Sequence, residues 1–323
     1  MKVGINGFGR IGRCLARIIL SDKKYQDLHL VQINANGTKD DSIHLMKYDS
    51  VHGRFHPKHS DIDRIHWTQE RDINKIVWED VDIVFECTGA FNDGNICEHH
   101  ISGGADKVII SAPAKNVDRT VVYGVNHTDI LPTDNIISSA SCTTNCLAPI
   151  VKVLDETVHI IAGQMTTIHS YTGDQSTVDK RHKDPYRARA GAVSMVPTST
   201  GAAKALQLVL PNVAGKIKGS SIRVPTPNVS CVDLTVQVGR EVDSDTINTI
   251  FKLSSENGMK DIIGYEEDPC VSIDFNTTRE SAIFAPAQTR VTDNHLVRIL
   301  AWYDNEWAFS HRMADTAGCL CLQ

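Results

Sequence analysis

Lys2-Val3-Gly4-Ile5-Asn6-Gly7-Phe8-Gly9-Arg10-Ile11-Gly12 follows the first methionine, and its reading decides the fold. Lys2–Asn6 reads as a short strand, Gly7 to Gly12 fits G-x-G-x-x-G, and residues 14–20 carry helical spacing. A second strand is expected at 28–34, which completes a β-α-β unit. Alone, the glycine pattern fits any flexible turn. Between a strand and a helix it marks a dinucleotide site, because glycines allow a tight turn and close backbone approach while the helix N-terminus receives a pyrophosphate. Gly7, Gly9, Arg10, Ile11 and Gly12 are the cofactor-binding candidates of this stretch.

Further buried strands are expected at 81–87, 107–110 and 120–123. Thr88 and Ser111 follow two of them, where an open parallel sheet presents its ligand crevice. Beyond residue 158 the texture changes. Residues 159–169, 228–238, 271–275 and 295–302 read as strands with few helices between them, the pattern of a mostly antiparallel sheet with one covered face. The polar, basic segment 174–196 is too long for a connector and reads as a functional or interface loop. Residues 308–322 have helical spacing and are expected to pack back on the first domain. The fold class is therefore α/β: a Rossmann-type dinucleotide-binding domain over 1–141, joined by a C-terminal helix at about 306–323, and an α+β catalytic and oligomerisation domain over 142–305.

Composition limits the function classes. The chain has 323 residues, enough for two cores, and a net charge of −6 that argues against nucleic acid as the main ligand. No apolar run approaches bilayer length, and the immediate strand leaves no room for a signal peptide. Nine cysteines without small-domain spacing point to a reduced compartment, so a cytoplasmic protein is expected. The histidines between 42 and 79 show no metal-ligand spacing.

The reactive centre is expected in Ser139-Ala140-Ser141-Cys142-Thr143-Thr144-Asn145-Cys146. It lies between a strand end at Ile136–Ser138 and a helical run from Leu147. Ser141 stands where a helix N-cap would lie, with Cys142 in the first turn. Unpaired N–H groups and the positive helix end favour a thiolate there, which prepares a nucleophile. An arbitrary cysteine is more often structural, as is a lone histidine at a strand end such as His169. A helix-terminal cysteine beside a dinucleotide crevice reverses both readings.

Six blocks carry a resemblance: Asn6 to Arg13, Ser139 to Pro149, Thr166 to His169, Pro197 to Lys204, Arg223 to Asn228 and Trp302 to Trp307. In this order, nearly end to end, they resemble phosphorylating glyceraldehyde-3-phosphate dehydrogenases. The resemblance implies that Cys142 attacks the aldehyde and that His169 pairs with the thiolate, then accepts the hemithioacetal proton as hydride leaves. Inorganic phosphate then takes the acyl group from the thioester. It further implies Thr172 and Arg223 for the phosphate of glyceraldehyde 3-phosphate, with Arg187 serving both anions. Ser141, Thr143, Thr200 and Gly201 would hold the attacking phosphate, Asn305 would orient the nicotinamide carboxamide, and the assembly would be a homotetramer.

Two departures bear on the cofactor. NAD-specific members of the family place an acidic residue at the position of Ala35, bonded to the adenosine ribose. Where relatives usually carry Leu-Pro, this chain has Lys180-Arg181, in a loop that in the family reaches a neighbouring subunit's cofactor. Together they imply NADP, or use of both NAD and NADP. Asp40 and Asp41 read as too far along to replace the missing carboxylate, and Ala308 and Phe309 replace the usual glycine and tyrosine. The rival readings are erythrose-4-phosphate dehydrogenase, with the same nucleophile and base, and a secondary non-catalytic binding role.

Overall fold

The computed structural model describes residues 1–321. They divide into two compact units, residues 1–141 with the C-terminal segment from 309, and residues 142–308. Residues 322 and 323, the end of the expected C-terminal helix, lie outside the described residues.

The first unit runs β1 (Lys2–Asn6), α1 (Arg10–Ser21), β2 (His29–Asn34), α2 (Lys39–Lys47), a hairpin of β3 (Tyr48–Asp49) and β4 (Gly53–Arg54), α3 (His59–Asp63), β5 (His66–Thr68), β6 (Ile83–Glu86), α4 (Gly94–Ser102), β7 (Lys107–Ile110), β8 (Arg119–Thr120) and β9 (Ile136–Ser138). Seven of these strands form one all-parallel sheet in the order β5-β2-β1-β6-β7-β9-β8. Its central strands are largely apolar because helices cover both faces of such a sheet; Val3, Ile5, Ile33 and Val108 to Ile110 are fully buried. The order reverses direction about β1, so the strand ends Asn6, Asn34 and Glu86 border the crevice where an open sheet binds ligands.

The second unit runs α5 (Cys142–Val158), β10 (Ile160–Ser170), β11 (Val196–Thr198), α6 (Ala202–Val209), β12 (Ile217–Val224), β13 (Ser230–Val238), α7 (Ser244–Glu256), β14 (Ile263–Tyr265), β15 (Ala282–Phe284), β16 (Arg290–Thr292), β17 (Leu296–Tyr303) and the start of α8 (Trp307–Cys321). Its sheet is mostly antiparallel, with α5 against β10, β13, β15 and β17. Alternation is clear along β10 and β13: Met165, Thr167, Leu234 and Val236 are buried. Ile168, Ile222 and Leu296, by contrast, line an open hollow on the sheet surface. The β10–β12 pairing is parallel, an exception that sets His169 opposite Arg223.

Two expected strands differ. Residues 271–275 alternate, but Asp274 accepts the backbone N–H of Val271 at 2.7 Å and closes a 3₁₀ turn over Ser272–Phe275. The strand expected at 120–123 stops at Thr120, because Asn126 accepts from Val122 N and donates to Thr120 O. The C-terminal helix begins at Trp307, where Asp304 Oδ1 accepts the N–H groups of Glu306 and Trp307. Asp315 ties its later turns to Tyr25 and Lys24 in the first unit. No helix among the described residues is long and apolar enough to cross a membrane.

Candidate active site

Ala140, at φ 56°, turns the chain after β9, and Cys142 is the first residue of α5, with Ser141 at the position before it. No acidic residue occupies the first turn of α5, so nothing there neutralises the positive helix end. Cys142 Sγ lies 3.4 Å from His169 Nε2. The Ser170 carbonyl is an acceptor only, and His169 Nδ1 stands 2.7 Å from it, so Nδ1 carries the proton and Nε2 presents its lone pair to sulfur. Arg223 Nη1 donates to the same carbonyl at 3.0 Å and stands 3.0 Å from Nδ1. Arg223 Nε is buried and has no hydrogen-bond partner.

Burial dominates the electrostatics. It pushes the Cys142 thiol above its usual value, although Arg223 and hydrogen bonds from Thr143 pull the other way. The helix N-terminus thus does not by itself produce the thiolate expected from the sequence; desolvation outweighs it. His169 is pulled down to about 3, first by burial and then by the positive charge of Arg223. Each group alone is held neutral. Moving the proton from Sγ to Nε2 creates both charges together, however, and at 3.4 Å they attract by about 5 kcal/mol at an effective dielectric constant of about 20.

Tyr303 supports this pair and was not singled out in the sequence. Its buried hydroxyl bonds Thr143 Oγ1 at 2.8 Å and Thr167 Oγ1 at 2.9 Å, tying α5 to β10, and its ring meets His169 edge-on. Nothing in periodicity separates it from an ordinary core aromatic. Asn305 is buried, and its Oδ1 accepts from Ser170 Oγ at 2.8 Å and Ser230 Oγ at 2.9 Å, which fixes the direction of its amide. Arg187 is engaged by Asp174 and Thr198. Thr200 Oγ1 accepts from Ala202 N, and Gly201 precedes α6 with no side-chain cap. Thr172 accepts the N–H of Gln175 through its carbonyl. Lys180 and Arg181 are exposed.

The first unit holds a separate cavity of about 570 Å³, whose wall includes Gly7, Gly9, Ala35, Thr88, Asn6, Asn34, Asp41, Glu70 and Arg71. Gly7 has φ +93°, and a Cβ there would come within 2.6 Å of Thr88 N. A Cβ on Gly12 would lie 2.2 Å from the Gly7 carbonyl oxygen, whereas one on Gly9 would meet nothing within 4 Å. Gly7 and Gly12 thus serve internal packing, and Gly9 leaves space beside the start of α1, where it gives no side-chain cap and no acid sits in the first turn. A helix start with room beside it and no acid in its first turn suits a pyrophosphate, so the residues fit a dinucleotide. Arg10 is turned to Asp49, and Ser111 donates its N–H to Glu86 O; neither lines the cavity, nor do Ile11 and Gly12.

The sequence reading missed a polar network beneath this cavity. Glu86 accepts from Asn6 Nδ2 at 2.6 Å and from Thr88 N at 2.7 Å, and Asn6 Oδ1 accepts from Asn34 Nδ2. Three polar residues at the carboxyl ends of adjacent parallel strands were the available signal. Asp41, judged too distant in sequence, does stand on the wall; α2 folds back after β2, and Asp41 accepts from the Thr38 hydroxyl.

Comparison with known proteins agrees with both units. Residues 1–94 match the family model "Glyceraldehyde 3-phosphate dehydrogenase, NAD binding domain", and residues 141–305 match "Glyceraldehyde 3-phosphate dehydrogenase, C-terminal domain". The chain is 48% identical over 325 residues to the glyceraldehyde-3-phosphate dehydrogenase of Cereibacter sphaeroides, covering 98% of this chain and 97% of that one. It is 49% identical over 327 residues to the enzyme of that name from Xanthobacter flavus, and 47% over 328 to that from Geobacillus stearothermophilus, each over 98% of this chain and 97% of the relative. The chain belongs to the glyceraldehyde-3-phosphate dehydrogenase family.

Proposed function

We propose that this chain oxidises D-glyceraldehyde 3-phosphate, with inorganic phosphate and a nicotinamide cofactor, to 1,3-bisphosphoglycerate. The observation that carries the reading is the 3.4 Å approach of Cys142 Sγ to a histidine whose other nitrogen is held by a carbonyl. Nε2 takes the thiol proton as sulfur attacks the aldehyde carbon and hands it to the new oxyanion, giving a neutral hemithioacetal and a free Nε2. Nε2 then receives the hemithioacetal hydroxyl proton as the carbonyl re-forms. A nicotinamide ring, when bound, accepts the hydride from that carbon. The resulting thioester keeps enough acyl-transfer potential for phosphate to displace Cys142 as the acyl phosphate.

Arg223, with its unpartnered Nε, and Thr172 serve the substrate phosphate, and Arg187 serves both anions. Ser141, Thr143, Thr200 and Gly201 serve the attacking phosphate; the place of Gly201 at the start of α6, with no side-chain cap of its own, supports that role. Asn305 orients the carboxamide of the cofactor. The dinucleotide domain is residues 1–141 with the C-terminal helix, and the catalytic domain is 142–305. A homotetramer accounts for the open sheet surface around Ile168, Ile222 and Leu296, and light scattering at about four times 35.6 kDa tests it. The eight described cysteines are free thiols, which supports a cytoplasmic setting.

We extend the cofactor reading from NAD to NADP. Ala35 offers no carboxylate against a 2′-phosphate, and the exposed Lys180 and Arg181 add two cations to a loop that in this family reaches a neighbouring cofactor. Assay of both triose and tetrose phosphates, with and without inorganic phosphate, tests the reaction; Cys142→Ala is expected to abolish turnover. Separate kcat/KM values for NAD⁺ and NADP⁺ test the cofactor. Comparable values support dual use, and a hundredfold preference for NAD⁺, about 2.7 kcal/mol, overturns it.

A further inference from the structure

We infer that His100 is a positioning residue of the nucleotide cavity, setting Asn6 and Thr88 on its wall through the buried carboxylate of Glu86. The inference rests on reading that cavity as the dinucleotide site, and His100 itself does not line it. His100 lies on α4 and is fully buried, as is the Trp78 side chain beside it. An indole N–H can only donate, and Trp78 Nε1 stands 3.0 Å from His100 Nδ1. Nδ1 is therefore the acceptor, and the ring's proton sits on Nε2, which donates to Glu86 Oε2 at 3.2 Å. A second proton, on Nδ1, would face the indole N–H, so the ring acts through its tautomer. Trp78 is itself fixed, since its backbone N–H donates at 2.8 Å to the carbonyl of Gly103, which ends α4.

Glu86 ends β6, and its carboxylate is the point where donors from three strand ends converge. Besides His100 it accepts from Asn6 Nδ2 at 2.6 Å, from Thr88 N at 2.7 Å and from the Thr88 hydroxyl. None of these partners is a lysine or arginine, so hydrogen bonds alone offset the cost of burying the carboxylate. The direction of the chain is fixed from its far end as well. Glu70 N donates to Asn34 Oδ1 at 2.9 Å, which turns Asn34 Nδ2 toward Asn6 Oδ1 at 2.8 Å and Asn6 Nδ2 toward Glu86. Asn6, Asn34 and Thr88 line the cavity. Without the His100 N–H, Glu86 is a donor short in a buried place, and the anchor shared by Asn6 and Thr88 shifts to make up for it.

The test is calorimetric titration of the full-length enzyme with NADH, for wild type, His100→Gln, His100→Asn and His100→Leu, with melting midpoints recorded alongside. A glutamine amide reaches the level of Nε2, so His100→Gln can accept from Trp78 and donate to Glu86. An asparagine amide reaches only the level of Nδ1, and leucine fills the space without a donor; both withdraw the N–H from Glu86. The expected result is an NADH dissociation constant raised about tenfold or more in His100→Asn and His100→Leu, and within about threefold of wild type in His100→Gln. With saturating NAD⁺, kcat and the KM for glyceraldehyde 3-phosphate should stay within about twofold of wild type, a split that general loosening of the fold does not give. Unchanged NADH binding in either donor-less variant overturns the role, as does a His100→Gln that binds no better than they do. If neither donor-less variant folds, His100 serves the fold rather than the site, and the inference falls too. A wild type that binds no NADH overturns the reading of the cavity itself.

Discussion

At the scale of single residues, the site depends on which nitrogen of His169 carries its proton. The Ser170 carbonyl settles this by accepting from Nδ1, leaving Nε2 as the base toward Cys142. Replacing His169 with asparagine keeps a donor for that carbonyl and removes the base. We expect kcat to fall by about 10²- to 10⁴-fold, with NADH affinity unaltered; pre-steady-state NADH formation is the measurement, and a fall below tenfold would contradict the role. Tyr303 makes a complementary case. Tyr303→Phe removes the hydroxyl shared by buried Thr143 and Thr167, which should cost about 1–3 kcal/mol in urea unfolding. It should lower kcat less than tenfold, since Tyr303 forms no hydrogen bond to the reacting sulfur. The helix start at Cys142 and the strand end beside His169 were legible in the sequence because such termini have signatures. Tyr303 was not, because a buried aromatic that braces two polar side chains has the same pattern as one that only fills volume.

At the scale of elements, the β1–α1 turn separates glycines that pack from a glycine that makes room. A methyl group on Gly12 meets the Gly7 carbonyl oxygen at 2.2 Å, so Gly12→Ala must displace backbone and should lose both stability and NADH affinity. One on Gly9 meets nothing within 4 Å. Gly9→Ala should therefore keep its melting midpoint, yet weaken NADH binding at least tenfold if the pyrophosphate occupies that space. Unchanged binding in Gly9→Ala would show that the cofactor does not approach α1 closely. The parallel sheet was readable from such turns and from continuous apolar strands. Element ends were less so, because they are set by side-chain hydrogen bonds that periodicity does not carry: Asn126 stops β8 and Asp274 folds residues 272–275 into a turn. The parallel register of β10 with β12, which aligns His169 and Arg223, is likewise a tertiary choice invisible to alternation.

At the scale of the molecule, the buried neutral imidazole makes stability depend on pH. In the unfolded chain His169 titrates at its ordinary value near 6.5, whereas in the fold it is pulled down to about 3. Between those values the unfolded chain binds one more proton than the native one, so acid favours unfolding. The contribution is fully present above about pH 6.5 and is lost as pH falls toward 3. From this group alone the slope is about 1 kcal/mol per pH unit. Urea unfolding at fixed protein concentration, at intervals from pH 7 to pH 5, should show stability falling with acid more steeply for the native sequence than for His169→Asn, which has no imidazole to charge. Holding concentration fixed matters because any subunit association adds to apparent stability. Equal slopes would mean that the native pair holds a second proton across this range, with His169 as imidazolium beside a Cys142 that is still a thiol. A steeper native slope fits the neutral pair and the thiolate–imidazolium pair alike, because moving one proton across 3.4 Å from Sγ to Nε2 leaves the number bound unchanged.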